Sequence, residues 1–283
     1  MSLKSLVIAS FVVALGATVS IAADDFPIPQ TVTIPAYDFQ GRSIDIIGFK
    51  PGMKAEEALE VLKQRKPEVY IGTSKIGNGS IRSQEFPSRY SSWERENEEI
   101  NVLMTSPSAG NEVFSVSRRL EFWTEEKRPD FEATLKAFTD KYGAPSAVND
   151  ELPDPKYLNK KGRYTTLMWY LGGDGKCDLT KFDSMVGKVS EVCTETSHET
   201  GPSVKNVTYT PAKAELYQKT ATAGSDVVLV AKVYNSDGSQ RAFSITVSFV
   251  DLKRRALTAV EDLKLIEAEQ AKFDSVKVAA PEL

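Results

Sequence analysis

Histidine is almost missing from this chain of 283 residues: His198 is the only one. A Ser-His-Asp triad would have to be built on it, and its neighbours Ser197, Glu199 and Thr200 read as a solvated loop. Zinc sites fail on the same count, because His-rich ligand spacing is absent and only two cysteines are present. Asp174, Asp178 and Asp183 could offer oxygen ligands, but they miss the EF-hand spacing and read as a solvated acidic loop. No metal site, catalytic residue or cofactor is therefore expected. Gly172-Gly173-Asp174-Gly175 is glycine-rich but lacks the Lys-Ser/Thr of a phosphate loop, so a tight turn is expected there. A surplus of positive charge is lacking too. The formal net charge is -4 and Lys253-Arg254-Arg255 is a basic run of only three, which argues against nucleic acid as a partner. Apolar residues at 41% and charged residues at 26% are ordinary for a globular protein.

One apolar run is present, and it lies at the start. Lys4 gives a short positive region, Leu6 to Ala17 is apolar, and Val19-Ser20-Ile21-Ala22-Ala23 offers small residues for cleavage before Asp24-Asp25. That is the pattern of a secretory signal peptide over residues 1–22, which places the mature chain in a periplasm or outside the cell. An uncleaved anchor is the rival, since the apolar stretch runs nearly to Ala23. No later segment is long and apolar enough to cross a bilayer. In an exported chain, Cys177 and Cys193 are expected to form a disulfide. Closing such a loop is worth about 3 kcal/mol in the chain-entropy account.

The mature chain divides by pattern. Residues 23–43, with Pro27, Pro29 and Pro35, read as an extended arm in which Thr31–Ile34 could form an edge strand. Residues 44–127 form a first αβ unit. It opens on Ile46-Ile47-Gly48-Phe49 as a short strand, turns at Pro51-Gly52, and enters a helix over Lys54–Arg65 whose face is Ala55, Ala58, Leu59 and Leu62. Strands are expected at Val69–Gly72, Glu98–Met104 and Val113–Trp123, the last with Phe114, Val116, Leu120 and Phe122 on one face and Arg118 interrupting it. Residues 128–210 form a second unit. Asp130 caps a helix with the stripe Phe131, Leu135, Phe138 and Tyr142, and Gly143 and Pro145 end it. A strand over Tyr164–Leu171 and the disulfide loop follow. Residues 211–283 supply a hairpin from Val227–Tyr234 and Arg241–Val250, then a long helix over Lys253–Phe273 with the stripe Ala256, Val260, Leu263 and Ile266. The basic trio opposes the helix dipole, so the helix is expected to begin a few residues later.

The pattern Gly48-x-x-Pro51-Gly52-Met53-x-x-Glu56-Glu57-Ala58-x-x-x-Leu62 resembles the opening of the αβ units of the outer-membrane assembly lipoprotein E (SmpA/OmlA) family. It is also similar to the repeat of the β-lactamase inhibitory proteins. Lys141-Tyr142-Gly143-x-Pro145 followed by Trp169 looks like a second such unit. The resemblance implies helices packed on antiparallel sheet and a role in binding rather than catalysis. The lipidation cysteine is absent, the loops are longer, and the segment after Cys193 has no counterpart.

The expected fold is α+β: two helix-plus-antiparallel-sheet units followed by a β-hairpin and a long C-terminal helix. The expected function is non-enzymatic binding of another envelope protein. Phe86, Tyr90 and Trp93, aromatics in a polar stretch, are the candidate anchors, with core packing as the competing account. A carboxylate-dependent hydrolase and a carrier of small ligands or lipids are the alternatives. The pairs Glu98-Glu99 and Glu125-Glu126 suit a hydrolase poorly, because neighbours on a strand point opposite ways.

Overall fold

A computed structural model of the chain describes residues 25–34, 37, 39, 41–66, 68–78, 81–94, 97–151, 162–173, 224–235 and 239–278. Three α-helices are described: α1 (Ala55–Arg65), α2 (Phe131–Tyr142) and α3 (Leu252–Val278). The strands of the first half are β1 (Tyr70–Ser74), β2 (Gly77–Asn78), β3 (Ile81–Arg82), β4 (Phe86–Glu94), β5 (Glu98–Met104) and β6 (Val113–Glu121). Those of the second half are β7 (Ala147–Glu151), β8 (Arg163–Leu171), β9 (Val227–Asn235) and β10 (Ser244–Asp251).

Eight of the strands form one antiparallel sheet in the order β1-β4-β5-β6-β10-β9-β8-β7, and β2 and β3 pair separately. This corrects the expected fold class. The hairpin that looked like an appendage lies in the middle of the sheet, because β10 pairs with β9 on one side and with β6 on the other. Its two strands explain why. Val227, Leu229, Ala231 and Val233 are buried on one face of β9 and Val228 and Val230 on the other, as only an interior strand requires. The molecule is therefore one β-rich sheet with helices packed on it, and not two separate helix-plus-sheet units.

Helices α1 and α2 share one face of the sheet. Ala55, Ala58 and Leu62 of α1, with Leu135 and Phe138 of α2, meet Ile100, Val102, Val116, Trp169, Leu229 and Phe249 in one cluster. Helix α1 begins after Pro51-Gly52 as its sequence predicts, and the Asn111 carbonyl accepts the Ala55 N–H at 3.0 Å. Helix α2 is capped by Asp130, whose Oδ1 accepts from the Ala133 N–H at 2.7 Å, and ends at Gly143, where φ is 82°. Trp169 donates from Nε1 to the Gly143 carbonyl at 2.9 Å, fixing that end to β8. A second cluster joins Phe26, Ile76, Ile81 and Phe86 to Ile266 of α3.

Three local expectations change. Thr31–Ile34 is not a strand; Thr31 and Val32 instead donate to the Ser108 carbonyl. Ile46–Phe49 closes on itself as a tight turn, with reciprocal backbone bonds between Ile46 and Phe49 of 3.1 and 3.0 Å. Helix α3 starts at Leu252 despite its basic first turn, because Asp251 Oδ1 accepts the Arg254 N–H at 2.7 Å and supplies the charge that the dipole favours. Its buried face runs through Ala256, Ala259, Asp262 and Ile266, leaving Val260 and Leu263 only half-buried.

Candidate functional site

Where α2 lies over β6 and β10, an open groove of about 460 Å³ remains. One wall is a face of α2: Asp130, Ala133, Thr134, Ala137, Phe138 and Lys141 recur every three or four residues, the spacing of one helical stripe. The floor is Ile245 and Val247 of β10 with Arg118 of β6, which stands directly across from Val247. The far rim is Ile46 and Ile47. Most of the lining is apolar, and the volume falls in the range of small-molecule sites.

Ile47 is held in a conformation that its side chain disfavours. Its φ is 50°, and Gly48 beside it has a φ of 99°, the paired positive values of a type I′ turn. Asp45 Oδ1 accepts the Gly48 N–H at 3.2 Å and reinforces the turn. A β-branched residue at positive φ costs about 1–2 kcal/mol. Asparagine or glycine would relieve that cost, yet the position carries a branched apolar side chain that lines the groove.

The charge in the groove is uneven. Glu98 is approached by three cations: Arg118 Nε at 2.6 Å, Lys66 Nζ at 3.3 Å and Arg65 at 4.0 Å. Burial alone would raise the Glu98 carboxyl; the hydrogen bond and charge of Arg118, then those of Lys66, outweigh it and hold the group below its ordinary value. Among the described residues, Arg118 has a protein acceptor only at Nε, and the residue is part of the groove lining. Lys141 donates to the Asp45 carbonyl at 2.9 Å, and its Nζ sits 5.0 Å from the Tyr142 ring centre. Tyr142 donates to the same carbonyl at 2.8 Å, and burial, then Asp45, push its hydroxyl up to about 12, so it stays neutral.

Two buried polar centres lie elsewhere. Asp251, fully buried, accepts from Tyr37 Oη at 2.7 Å and from Arg254 Nε at 3.0 Å, while Arg254 also pairs with Glu112 and Glu112 with Lys54. Both carboxylates are engaged by Arg254, so the group acts as a clasp between α3 and the first half of the sheet. Burial pushes the Asp251 carboxyl up to about 6 against the opposing pull of Arg254. Asp262 of α3 accepts from the hydroxyls of Ser106 and Ser108, each at 2.6 Å. Burial raises it as well, to about 6, despite those two hydrogen bonds.

Phe86 and Tyr90, read from sequence as interface anchors, are interior residues. Phe86 packs with Ile76, Ile81 and Ile266, and Tyr90 belongs to the main core. Each is turned inward by β4, a strand the sequence left undefined. Trp93 lies on the same strand, and its side chain is outside the described residues. Cys177, Cys193, His198, Asp174, Asp178 and Asp183 also fall outside them, as do the residues of the export signal. Glu98 and Glu99 diverge as strand geometry requires: Glu98 meets Arg118, while Glu99 accepts from Asn101 Nδ2 at 2.7 Å. Glu125 and Glu126 sit exposed on a 3-10 turn. The groove was missed by sequence reasoning, although Arg118 interrupting an apolar strand face was its visible trace.

Among the described residues no helix is long and apolar enough to cross a membrane. No family model, curated protein or solved structure matches the chain.

Proposed function

We propose that this protein is an exported, non-enzymatic binding protein whose groove between α2 and the sheet receives the apolar part of a small ligand. The observation that carries this reading is the groove itself: about 460 Å³, largely apolar, with Ile47 at positive φ on its rim. The export signal and the pair Cys177 and Cys193 support the periplasm or the cell exterior as the place of action. The test is titration with the neutral fluorophore N-phenyl-1-naphthylamine against the unaltered protein and Ala137→Trp. Ala137 is an exposed groove residue, so the larger ring fills the site without entering the core. Fluorescence enhancement that vanishes in the variant supports the reading. Equal enhancement in both places the dye elsewhere and ends it.

A second reading, binding of another envelope protein, is favoured by β1. This strand is an edge of the sheet, its sequence Tyr70–Ser74 carries neither charge nor proline, and Tyr70 and Ile71 are 54% and 45% exposed. The opposite edge, β7, ends in Asp150 and Glu151, a common protection against strand pairing. A photo-crosslinker at residue 71 that traps a discrete envelope protein would support this reading, and one that traps nothing would exclude it.

A further inference from the structure

We propose that the groove is built for an amphiphile with a single anionic head: a hydrocarbon tail over Ile245, Val247 and Phe138, and a carboxylate or phosphate ester on Arg118. This rests on the groove being the binding site, and it adds the ligand's chemical class. Three observations converge on it. Arg118 sits on an otherwise apolar strand face opposite Val247, where an aliphatic residue would pack better if nothing charged were to arrive. Its guanidinium is aimed by one bond, Nε to Glu98 at 2.6 Å, which fixes the fork and leaves the two terminal nitrogens free of protein acceptors among the described residues. Glu98 is at the same time approached by Lys66 and Arg65, so its one negative charge is shared among three cations and is not held by Arg118 alone.

Two further carboxylates stand near the groove. Asp130 is committed to the Ala133 N–H as the cap of α2. Asp45 accepts the Gly48 N–H and lies 3.7 Å from Lys141 Nζ, so it is already paired with a cation. Lys141 stands at the rim with its side chain about half exposed, and its charge offsets that of Asp45. A tail-only ligand would leave the Arg118 fork unsatisfied against hydrocarbon. A head-only ligand would leave the apolar lining wet. An amphiphile of moderate length answers both, and the volume limits the tail to roughly ten carbons.

The experiment is a calorimetric series on the full chain with decanoate, decyl phosphate, decanol, decylammonium and acetate. Charge-assisted hydrogen bonding predicts that decanoate and decyl phosphate bind at least about tenfold more tightly than decanol, with decylammonium and acetate undetectable. The relative strength of the two anions tells a carboxylate head from a phosphate head. Arg118→Gln should bring decanoate down to the level of decanol while leaving decanol unchanged. Should Arg118→Gln fail to fold by circular dichroism, the charge series on the unaltered protein decides by itself. Decanol or decylammonium binding as tightly as decanoate overturns the anionic head but leaves the groove as a binding site. Absence of binding by every ten-carbon probe overturns both.

Discussion

Asp262→Asn tests whether α3 is held by a carboxylate that would rather be protonated. Asp262 is fully buried, its Oδ1 takes both serine hydroxyls, and its Oδ2 has no hydrogen-bond partner among the described residues. Burial therefore lifts its pKa from 3.8 to about 6. The folded state then holds the proton to higher pH than the unfolded chain does. Stability from this group is fully present below 3.8 and is lost as pH rises through 6. Keeping the carboxylate ionised at pH 7 costs about 3 kcal/mol, of which about 1.3 kcal/mol returns between pH 7 and pH 5. Asparagine keeps an oxygen for the two serines and carries no charge. It also buries an N–H without an acceptor, at about 1–3 kcal/mol, so absolute stability at pH 7 is a weak readout. The slope with pH is the strong one. Urea titrations at pH 5, 6 and 7, followed by tryptophan fluorescence, should show a gain on acidification in the unaltered protein. That gain should be smaller by about 1.3 kcal/mol in Asp262→Asn, because this group's share is gone. Asp251 contributes in the same direction and remains in both proteins, so the comparison isolates Asp262. An identical gain in the two proteins would refute the reasoning.

Other perturbations separate the roles of neighbouring residues. Arg254→Met should cost about 3–5 kcal/mol in urea unfolding, because it leaves Asp251 buried beside Tyr37 without its cation. Gly52→Ala should destabilise by about 2 kcal/mol: φ is +78° there, and a Cβ would stand 2.7 Å from an Arg254 nitrogen that its ion pairs prevent from yielding. Ile47→Asn relaxes the positive φ but gives up the packing of Ile47 against the core, so the unfolding free energy should change by less than about 1 kcal/mol while decanoate binding on the same preparation weakens. Mass spectrometry of the secreted chain should find it starting at Ala23 and lighter by two hydrogens, the mark of a bridge between Cys177 and Cys193.

Local patterns were legible where one physical signal dominated. Pro51-Gly52 and the stripe Ala55, Ala58 and Leu62 located α1, and Asp130 with Gly143 located both ends of α2. The hairpin expected from Val227–Tyr234 and Arg241–Val250 located β9 and β10. What periodicity does not carry is which strand lies beside which. The pairing of β10 with β6 joins residues more than a hundred positions apart, and it turns two apparent units into one sheet. Strand β4 escaped because its serines and Pro87 carry little apolar alternation, although Tyr90 is drawn inward against Val102. The groove could not be read because it belongs to α2, β6, β10 and the turn at Ile46 and Ile47, which only tertiary packing brings together. Arg118 alone signalled it, as a charge on a face that should have been oily.

The dimensions of the layers account for an opening at this place. Eight strands at about 4.8 Å spacing span about 34 Å, and with strand lengths near 25 Å one face presents about 850 Å². Helices of 11 and 12 residues, each about 17 Å long and 11 Å wide, cover about half of that. The arm residues Tyr37 and Phe39 and the loop residues Ile47 and Met53 close part of the remainder against the core. Between α2 and the Ile47 turn the cover is incomplete, over the line where β6 meets β10. A larger residue at Ala133 or Ala137 would shut that opening at no cost in helix propensity beyond a few tenths of a kcal/mol. Small side chains on the exposed face of α2 leave the opening uncovered, Ile47 packs against the core at its rim, and Arg118 places a charge on its floor. Ala133 and Ala137 are exposed, where helix propensity already favours alanine, and Ile47 packs against the core, so the charge of Arg118 on an apolar face is the choice of the three that packing and propensity leave unexplained.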